Sequence, residues 1–168
     1  RALKFHGGVA KEELKKPNIA ALEIGFHNLE KHIENTKIFG VPAVISLNKF
    51  ITDSDEEIKW VMKKCESLGV EIALSEGWEK GGKGMIDLAE KISKAADNFT
   101  GKYWPVYDWK SSIQEKIETV AVKIYGAKGV EFLPKAKQNL NRIDRIGLNA
   151  VPVCIAKTQN SLSDDAKK

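Results

Sequence analysis

Two short segments hold side chains suited to gripping a flat ring beside a polar edge. They are Ser46-Leu-Asn-Lys-Phe-Ile-Thr-Asp53 and Leu74-Ser-Glu-Gly-Trp-Glu-Lys-Gly-Gly82. Each lies where an apolar, strand-like run gives way to polar residues and a helix-start signal. Each carries a large aromatic, Phe50 or Trp78, where solvated turn residues are expected. A heterocycle held between two aromatic rings gains apolar burial and a stacking contribution of about 0.5–1.5 kcal/mol per pair. The alternative is that both rings pack into the core. Asn48 offers a donor and an acceptor on one amide, which suits the mixed edge of a purine, with Ser75 of the following loop beside it. It also suits a strand-to-helix turn in which Asn48 bonds its own backbone. Both readings stay open on spacing alone.

Weaker candidates surround these. Gly7-Gly8 and Gly81-Gly82-Lys83-Gly84 would let backbone amides approach a phosphate at a helix start, or would serve loops needing positive φ. Neither fits a phosphate-loop or dinucleotide fingerprint. Lys157-Thr158-Gln159, with Ser161, Ser163 and Asp164-Asp165, would meet a phosphate or carboxylate, or is a polar terminus. His6, His27 and His32 form no ligand cluster with the cysteines and no Ser-His-Asp or Cys-His order, so neither a metal centre nor a catalytic residue is assigned.

The elements that position these residues follow from periodicity. Arg1 to Phe5 reads as a short strand closed by His6-Gly7-Gly8. Asn18 caps a long helix ending at Gly40, with Leu22, Phe26, Leu29, Ile33 and Phe39 on its buried face. Val41 to Leu47 reads as a strand buried on both faces. Ser54 and Glu57 form a capping-box pattern opening a helix with Ile58, Val61, Met62 and Cys65 inward, stopped by Gly69. Val70 to Leu74 is the next strand, and a helix with Met85, Leu88, Ile92 and Ala95 inward follows. After an aromatic, turn-rich stretch come a helix over 111–125, a short strand over 130–133, and a helix opened by Pro134 with Leu140, Ile143 and Ile146 inward. Val151 to Ala156 is expected as a final strand.

The predicted fold class is α/β: a parallel sheet with flanking helices, and an adjoining mostly helical layer that returns a strand. Residues 1–97 form the α/β unit carrying the strand-end loops, and 98–168 the second layer. Loops at the carboxyl ends of successive parallel strands open on one edge, where open α/β sheets bind ligands.

The 168 residues, 42% hydrophobic and 30% charged, suit a globular chain with a sizeable core. The net charge of +4 is spread with interspersed Lys and Glu, so no nucleic-acid partner is expected. No apolar run approaches a membrane span, and Arg1-Ala-Leu-Lys lacks the apolar core of a signal peptide, which points to a cytoplasmic protein. Cys65 and Cys154 both lie in apolar patterns and read as buried free thiols.

Together these residues identify a family resemblance. Arg1-Ala-Leu-Lys-Phe-His-Gly-Gly8, Asn28-Leu-Glu-Lys-His-Ile-Glu-Asn35 and Phe39-Gly-Val-Pro-Ala43 carry it. So do Ala73-Leu-Ser-Glu76 with Trp78 and Gly81-Gly82, Ile124-Tyr-Gly-Ala127, and Ala156-Lys-Thr-Gln159 with Ser161-Leu-Ser-Asp-Asp165. In this order they resemble formate–tetrahydrofolate ligase over essentially the whole chain. The resemblance implies an ATP-dependent ligation in one-carbon metabolism. Formate attacks the γ-phosphate of MgATP to give formyl phosphate, and N10 of tetrahydrofolate then takes the formyl group. It implies that Phe50 and Trp78 clamp the pterin ring, with Ile51 and Leu74 in the same pocket, and that Asn48, His6, Gly7, Gly8 and Ser75 lie on the nucleotide side. MgATP and tetrahydrofolate enter as substrates, with no tightly bound cofactor. The sheet is then part of a P-loop NTPase-like nucleotide domain.

This sequence departs from the family pattern at Ile51, where Pro is common, and at Gly77, where a larger residue is usual, which predicts a looser loop. The family's phosphate-binding Gly-Lys-Ser/Thr loop has no counterpart among these residues. The expectation is therefore a central piece of the enzyme, inactive alone, that forms a homo-oligomer or associates with the remaining parts. The alternative is a non-catalytic folate-binding or scaffold fragment.

Overall fold

The computed structural model describes residues 1–156 and 161–163. They fall into two compact units, Arg1–Lys102 and a second that begins at Tyr103. No helix among the described residues is long and apolar enough to cross a membrane.

The first unit is built on one βαβ step. Strand β1 (Val44–Asn48) pairs in parallel with β2 (Glu71–Ser75), and helix α3 (Asp55–Ser67) connects them. Register runs from Val44 opposite Glu71 to Asn48 opposite Ser75. The α/β class and the parallel pairing are therefore as the periodicity predicts. Helix α2 (Ile19–Ile38) starts at Asn18, whose side chain accepts from the Ala21 N–H at 2.9 Å. The predicted faces of α2 and α3 meet here: Leu22 and Phe26 pack with Val61, Cys65 and Ile72 as the buried core. Trp60 of α3 adds an edge-on ring contact to Phe26, with centroids 5.6 Å apart.

The strand expected over Arg1 to Phe5 is a helix instead, α1 (Ala2–His6). Alternating Leu3 and Phe5 fit either element, and the tertiary contact decides. A methyl group at Gly25 would land on the Leu3 carbonyl, and one at Gly7 on the Ala21 carbonyl. Two glycines thus let the backbones of α1 and α2 approach closely, which a helix at this place exploits. The strand–helix alternation is reduced to two strands among the described residues. β1 also differs from expectation: it begins at Val44 and is only half-buried, with Ser46 and Asn48 exposed. Its only ladder among the described residues is to β2.

Two short turns of helix, α4 (Gly77–Lys80) and a 3-10 turn over Gly81–Met85, lead from β2 into α5 (Ile86–Asp97). Leu88 of α5 is buried as expected, whereas Ile92 is half exposed. Ile92 instead shares a shallow apolar groove with Pro42, Val44 and Phe99.

In the second unit, α6 (Ile113–Lys123) opens on a complete capping box. Ser112 Oγ accepts from the Glu115 N–H, and the Glu115 carboxylate accepts from the Ser112 N–H at 2.8 Å. Helix α7 (Pro134–Arg145) has Pro at its start, as the sequence signals. Leu140 and Ile143 are half-buried, but Ile146 is exposed.

Neither 130–133 nor 151–156 forms a strand among the described residues. A strand needs a neighbour for its N–H and C=O groups, and side chains supply these bonds here. The Tyr107 hydroxyl accepts from the Val153 N–H at 2.9 Å and donates to the Val153 carbonyl at 3.1 Å. Lys116, fully buried, donates to the Ala150 and Val151 carbonyls at 3.1 and 3.2 Å. The segment is pinned by side chains in place of a ladder.

The cysteines divide. Cys65 is fully buried in the core, and burial, aided by Glu66, pushes its thiol up to about 11. Cys154 is exposed, contrary to its apolar surroundings in sequence, because the segment that carries it is not buried in a sheet. Only a thiolate reacts readily. A thiol reagent is therefore expected to label Cys154 alone in the native chain, and Cys65 only on unfolding. Peptide mapping of the labelled protein checks this, and equal labelling rates would contradict it.

Candidate ring-binding site at the strand ends

Parallel pairing sends both ligand-loop candidates off the same edge of the sheet. Asn48 and Ser75 end the two strands opposite each other. The pairing continues one step into the loops, where the Lys49 N–H donates to the Ser75 carbonyl at 2.9 Å. Lys49 Nζ lies 3.5 Å from the Glu76 carboxylate, which also pairs with Lys80 at 2.6 Å. The Lys80 hydrogen bond, with Lys49 assisting, holds the Glu76 carboxyl below its ordinary value. These contacts join the loop that bears Phe50 to the one that bears Trp78.

The first loop is a tight turn. The Asp53 N–H donates to the Phe50 carbonyl at 3.0 Å, and the Phe50 N–H donates to Asp53 Oδ2 at 3.0 Å. Phe50 stays 37% exposed and Ile51 75% exposed, so neither is drawn into the core. The Arg1 guanidinium lies over the Phe50 ring, 4.2 Å from its centroid.

In the second loop, Leu74 is half-buried opposite Leu47, and Trp78 on α4 is 72% exposed. An indole exposed to that degree is available to a ligand. The small residue before it, Gly77, makes room for Met85. A methyl there would lie 2.7 Å from Met85 Sδ, so Met85 fills the space. Met85 also receives the hydroxyl of buried Ser75 at 2.9 Å.

The glycine cluster that follows has its own structural account. Gly81 has φ of 58°, and Gly84 packs against the Glu76 carbonyl and accepts the Glu76 N–H at 3.0 Å. It folds back on the loop and braces it.

Asn48 is exposed, and its side-chain oxygen is 3.5 Å from the Ser46 hydroxyl. With Phe50 and Asp53 it stands at one end of a cavity of about 290 Å³ between α1, α2, α3 and β1. Leu22, Leu29, Ile45, Leu47, Ile58 and Val61 give this cavity apolar walls. Apolar walls with a few polar groups are the usual make-up of a small-molecule site. His6, Gly7 and Gly8 lie at the C-terminal end of α1. The Gly7 and Gly8 N–H groups donate to the Leu3 and Phe5 carbonyls at 2.9 and 3.0 Å, and His6 packs edge-on to Phe5. Their amides are engaged within the helix end, so the side chain of His6 is what this turn has to offer a ligand. Lys157, Thr158, Gln159, Asp164 and Asp165 lie outside the described residues.

Sequence reasoning missed a buried ion pair beside the site. Lys4 and Glu57 are both buried, with Lys4 Nζ 3.0 Å from Glu57 Oε1. Lys4 also donates to the Lys16 carbonyl at 2.9 Å, and Glu57 accepts the Asn18 N–H at 2.7 Å. Burial disfavours the Glu57 carboxylate, but the Asn18 N–H and the Lys4 ammonium outweigh it and hold its pKa below 4.5. The Ser54 half of the predicted capping box forms, while Glu57 turns to α1 and α2 instead. Glu57 stands in the polar run Ser54-Asp55-Glu56-Glu57, which signals a helix start and not a buried partner 53 positions away.

A family model described as formate–tetrahydrofolate ligase matches residues 1–168, the whole of the sequence, with both strand-end loops inside the match. The chain belongs to the formate–tetrahydrofolate ligase family.

Proposed function

We propose that the chain takes part in the ATP-dependent formation of 10-formyltetrahydrofolate, and that its own contribution is to hold the pterin. Phe50 and Trp78 are the two faces of the clamp, with Ile51 and Leu74 lining the same pocket. The observation that carries this reading is the pair of exposed aromatics on joined loops at one sheet edge. Covering such rings with a flat ligand removes apolar surface from water, which favours binding.

Asn48 and Ser75, together with the His6-Gly7-Gly8 turn, are proposed to face the nucleotide, within a sheet of the P-loop NTPase kind. MgATP, formate and tetrahydrofolate are the substrates. In support of a division of labour, the Gly7 and Gly8 amides, one candidate for the γ-phosphate, are bonded within α1, and no phosphate-loop fingerprint stands in the sequence. The polypeptide of residues 1–168 is therefore expected to form no 10-formyltetrahydrofolate from ATP, formate and tetrahydrofolate. A product assay by absorbance after acid conversion measures this, and ATP- and formate-dependent turnover by the chain alone would overturn the division of labour proposed.

A further inference from the structure

We propose that Arg1 is a positioning residue for Phe50, holding one face of the ring so that the other is presented to the ligand. The effect on ligand affinity rests on the folate reading above, whereas the effect on the ring does not.

The turn from Phe50 to Asp53 closes on itself through the Asp53 N–H and through Asp53 Oδ2, each bonded at 3.0 Å to the backbone of Phe50. These bonds fix the backbone and do not hold the Phe50 side chain, which stays 37% exposed. Arg1 covers one face of the ring. Its guanidinium stacks 4.2 Å from the ring centroid, its Nε lies 3.5 Å from Asp53 Oδ1, and its terminal nitrogen donates to the Thr52 hydroxyl. One planar cation thus touches three of the four turn residues, and leaves Ile51 alone. A guanidinium does this because its donors form a rigid fork and its flat face stacks on an aromatic ring.

Arg1 is itself well placed to act as an anchor. It stands at the N-cap position of α1, and α1 is packed closely against α2 at Gly7 and Gly25. The ring is therefore referenced to the most closely packed pair of helices in the unit, across a loop that would otherwise sample several rotamers. A binding group held in its bound geometry loses less entropy on binding. The ion pair is one nitrogen 3.5 Å from one oxygen and does not by itself fix the ring, so the contact of the guanidinium with the ring carries the role.

The test uses the full 168-residue chain with 4-fluorophenylalanine at position 50 and no ligand. Its fluorine resonance is expected to be shifted by the guanidinium in the parent chain. In Arg1→Ala it should move to the averaged position of an exposed ring, with the urea midpoint nearly unchanged. Arg1→Lys, which keeps the charge and loses the fork, should resemble Arg1→Ala. An identical resonance in parent and Arg1→Ala overturns the proposal whether or not a folate binds.

The affinity arm uses 5-formyltetrahydrofolate as probe. Arg1→Ala should raise its Kd about tenfold, and should add little when Phe50 is already alanine, since residues acting through one contact are non-additive. Equal increments in both backgrounds would mean a merely structural role and overturn the proposal. Absence of binding by the parent chain, with the resonance shift present, would refute the folate reading and leave the positioning of the ring standing.

Discussion

Glu57→Ala is expected to destabilise the first unit by about 3–5 kcal/mol, because it leaves a buried ammonium with no counter-charge. Lys4 is 2% exposed and Glu57 6%, so water does not replace the lost partner. The Asn18 N–H, which starts α2, loses its acceptor in the same step. A domain of ordinary stability, about 5–15 kcal/mol, would lose a large fraction of it. Glu57→Gln should cost less, because an amide oxygen still accepts from Asn18.

The pH dependence has a definite sign. The folded-state pKa of Glu57 is depressed below 4.5, so its contribution is complete above that value and is lost as pH falls through the lower folded value. The gap in stability between the parent chain and Glu57→Gln should therefore shrink as pH is lowered from neutrality through the acid range. Urea unfolding at a series of pH values measures both effects. A Glu57→Ala cost under about 1 kcal/mol, the size of an exposed pair, would contradict the buried network.

Gly25→Ala is expected to destabilise by about 1–3 kcal/mol or more, the range for overpacking. The sign is informative, since alanine in a helix interior is ordinarily better than glycine by about 1 kcal/mol. Here the added methyl meets the Leu3 carbonyl and the Gly7 nitrogen, both backbone, which cannot rotate aside. Helix α1 must then shift from α2, drawing Lys4 away from Glu57 and Arg1 away from Phe50. Gly82→Ala is the control: nothing lies within 4 Å of the new methyl, and little change should follow. A stabilised Gly25→Ala would show that the close approach of α1 and α2 is not required.

What the sequence made legible was local. Asn18 and Ser54 mark helix starts through short-range bonds, and each caps its helix as read; Ser112 caps α6 one residue inside the start that periodicity gave it. The apolar faces of α2 and α3 follow from 3.6-residue spacing alone, and Leu22, Phe26, Val61 and Cys65 do meet. The parallel pair and the common edge of its loops follow from one βαβ step.

What was not legible depended on contacts distant in sequence. Arg1 to Phe5 is too short for its period to separate helix from strand, and the glycines that decide it, Gly7 and Gly25, act through packing on α2. Val151 to Ala156 has the composition of a strand, but Tyr107 and Lys116 bond its backbone in place of a neighbour. Arg1 over Phe50 and Lys4 with Glu57 join residues about fifty positions apart, and no periodicity connects them. The exposure of Phe50 and Trp78 was legible for a reason of another kind. Large rings were misplaced in polar turns, and such conflicts between local pattern and composition tend to fall at functional sites.

The central claim is that Phe50 and Trp78 together hold a reduced pterin. It is tested most directly by titrating the full chain with 5-formyltetrahydrofolate and following tryptophan emission. Saturable quenching is predicted. It should be abolished in Trp78→Ala although Trp60, Trp104 and Trp109 remain, and weakened about tenfold or more in Phe50→Ala, as loss of stacking and burial together implies. Absence of saturable quenching in the parent chain, or quenching that survives unchanged in Trp78→Ala, would contradict it.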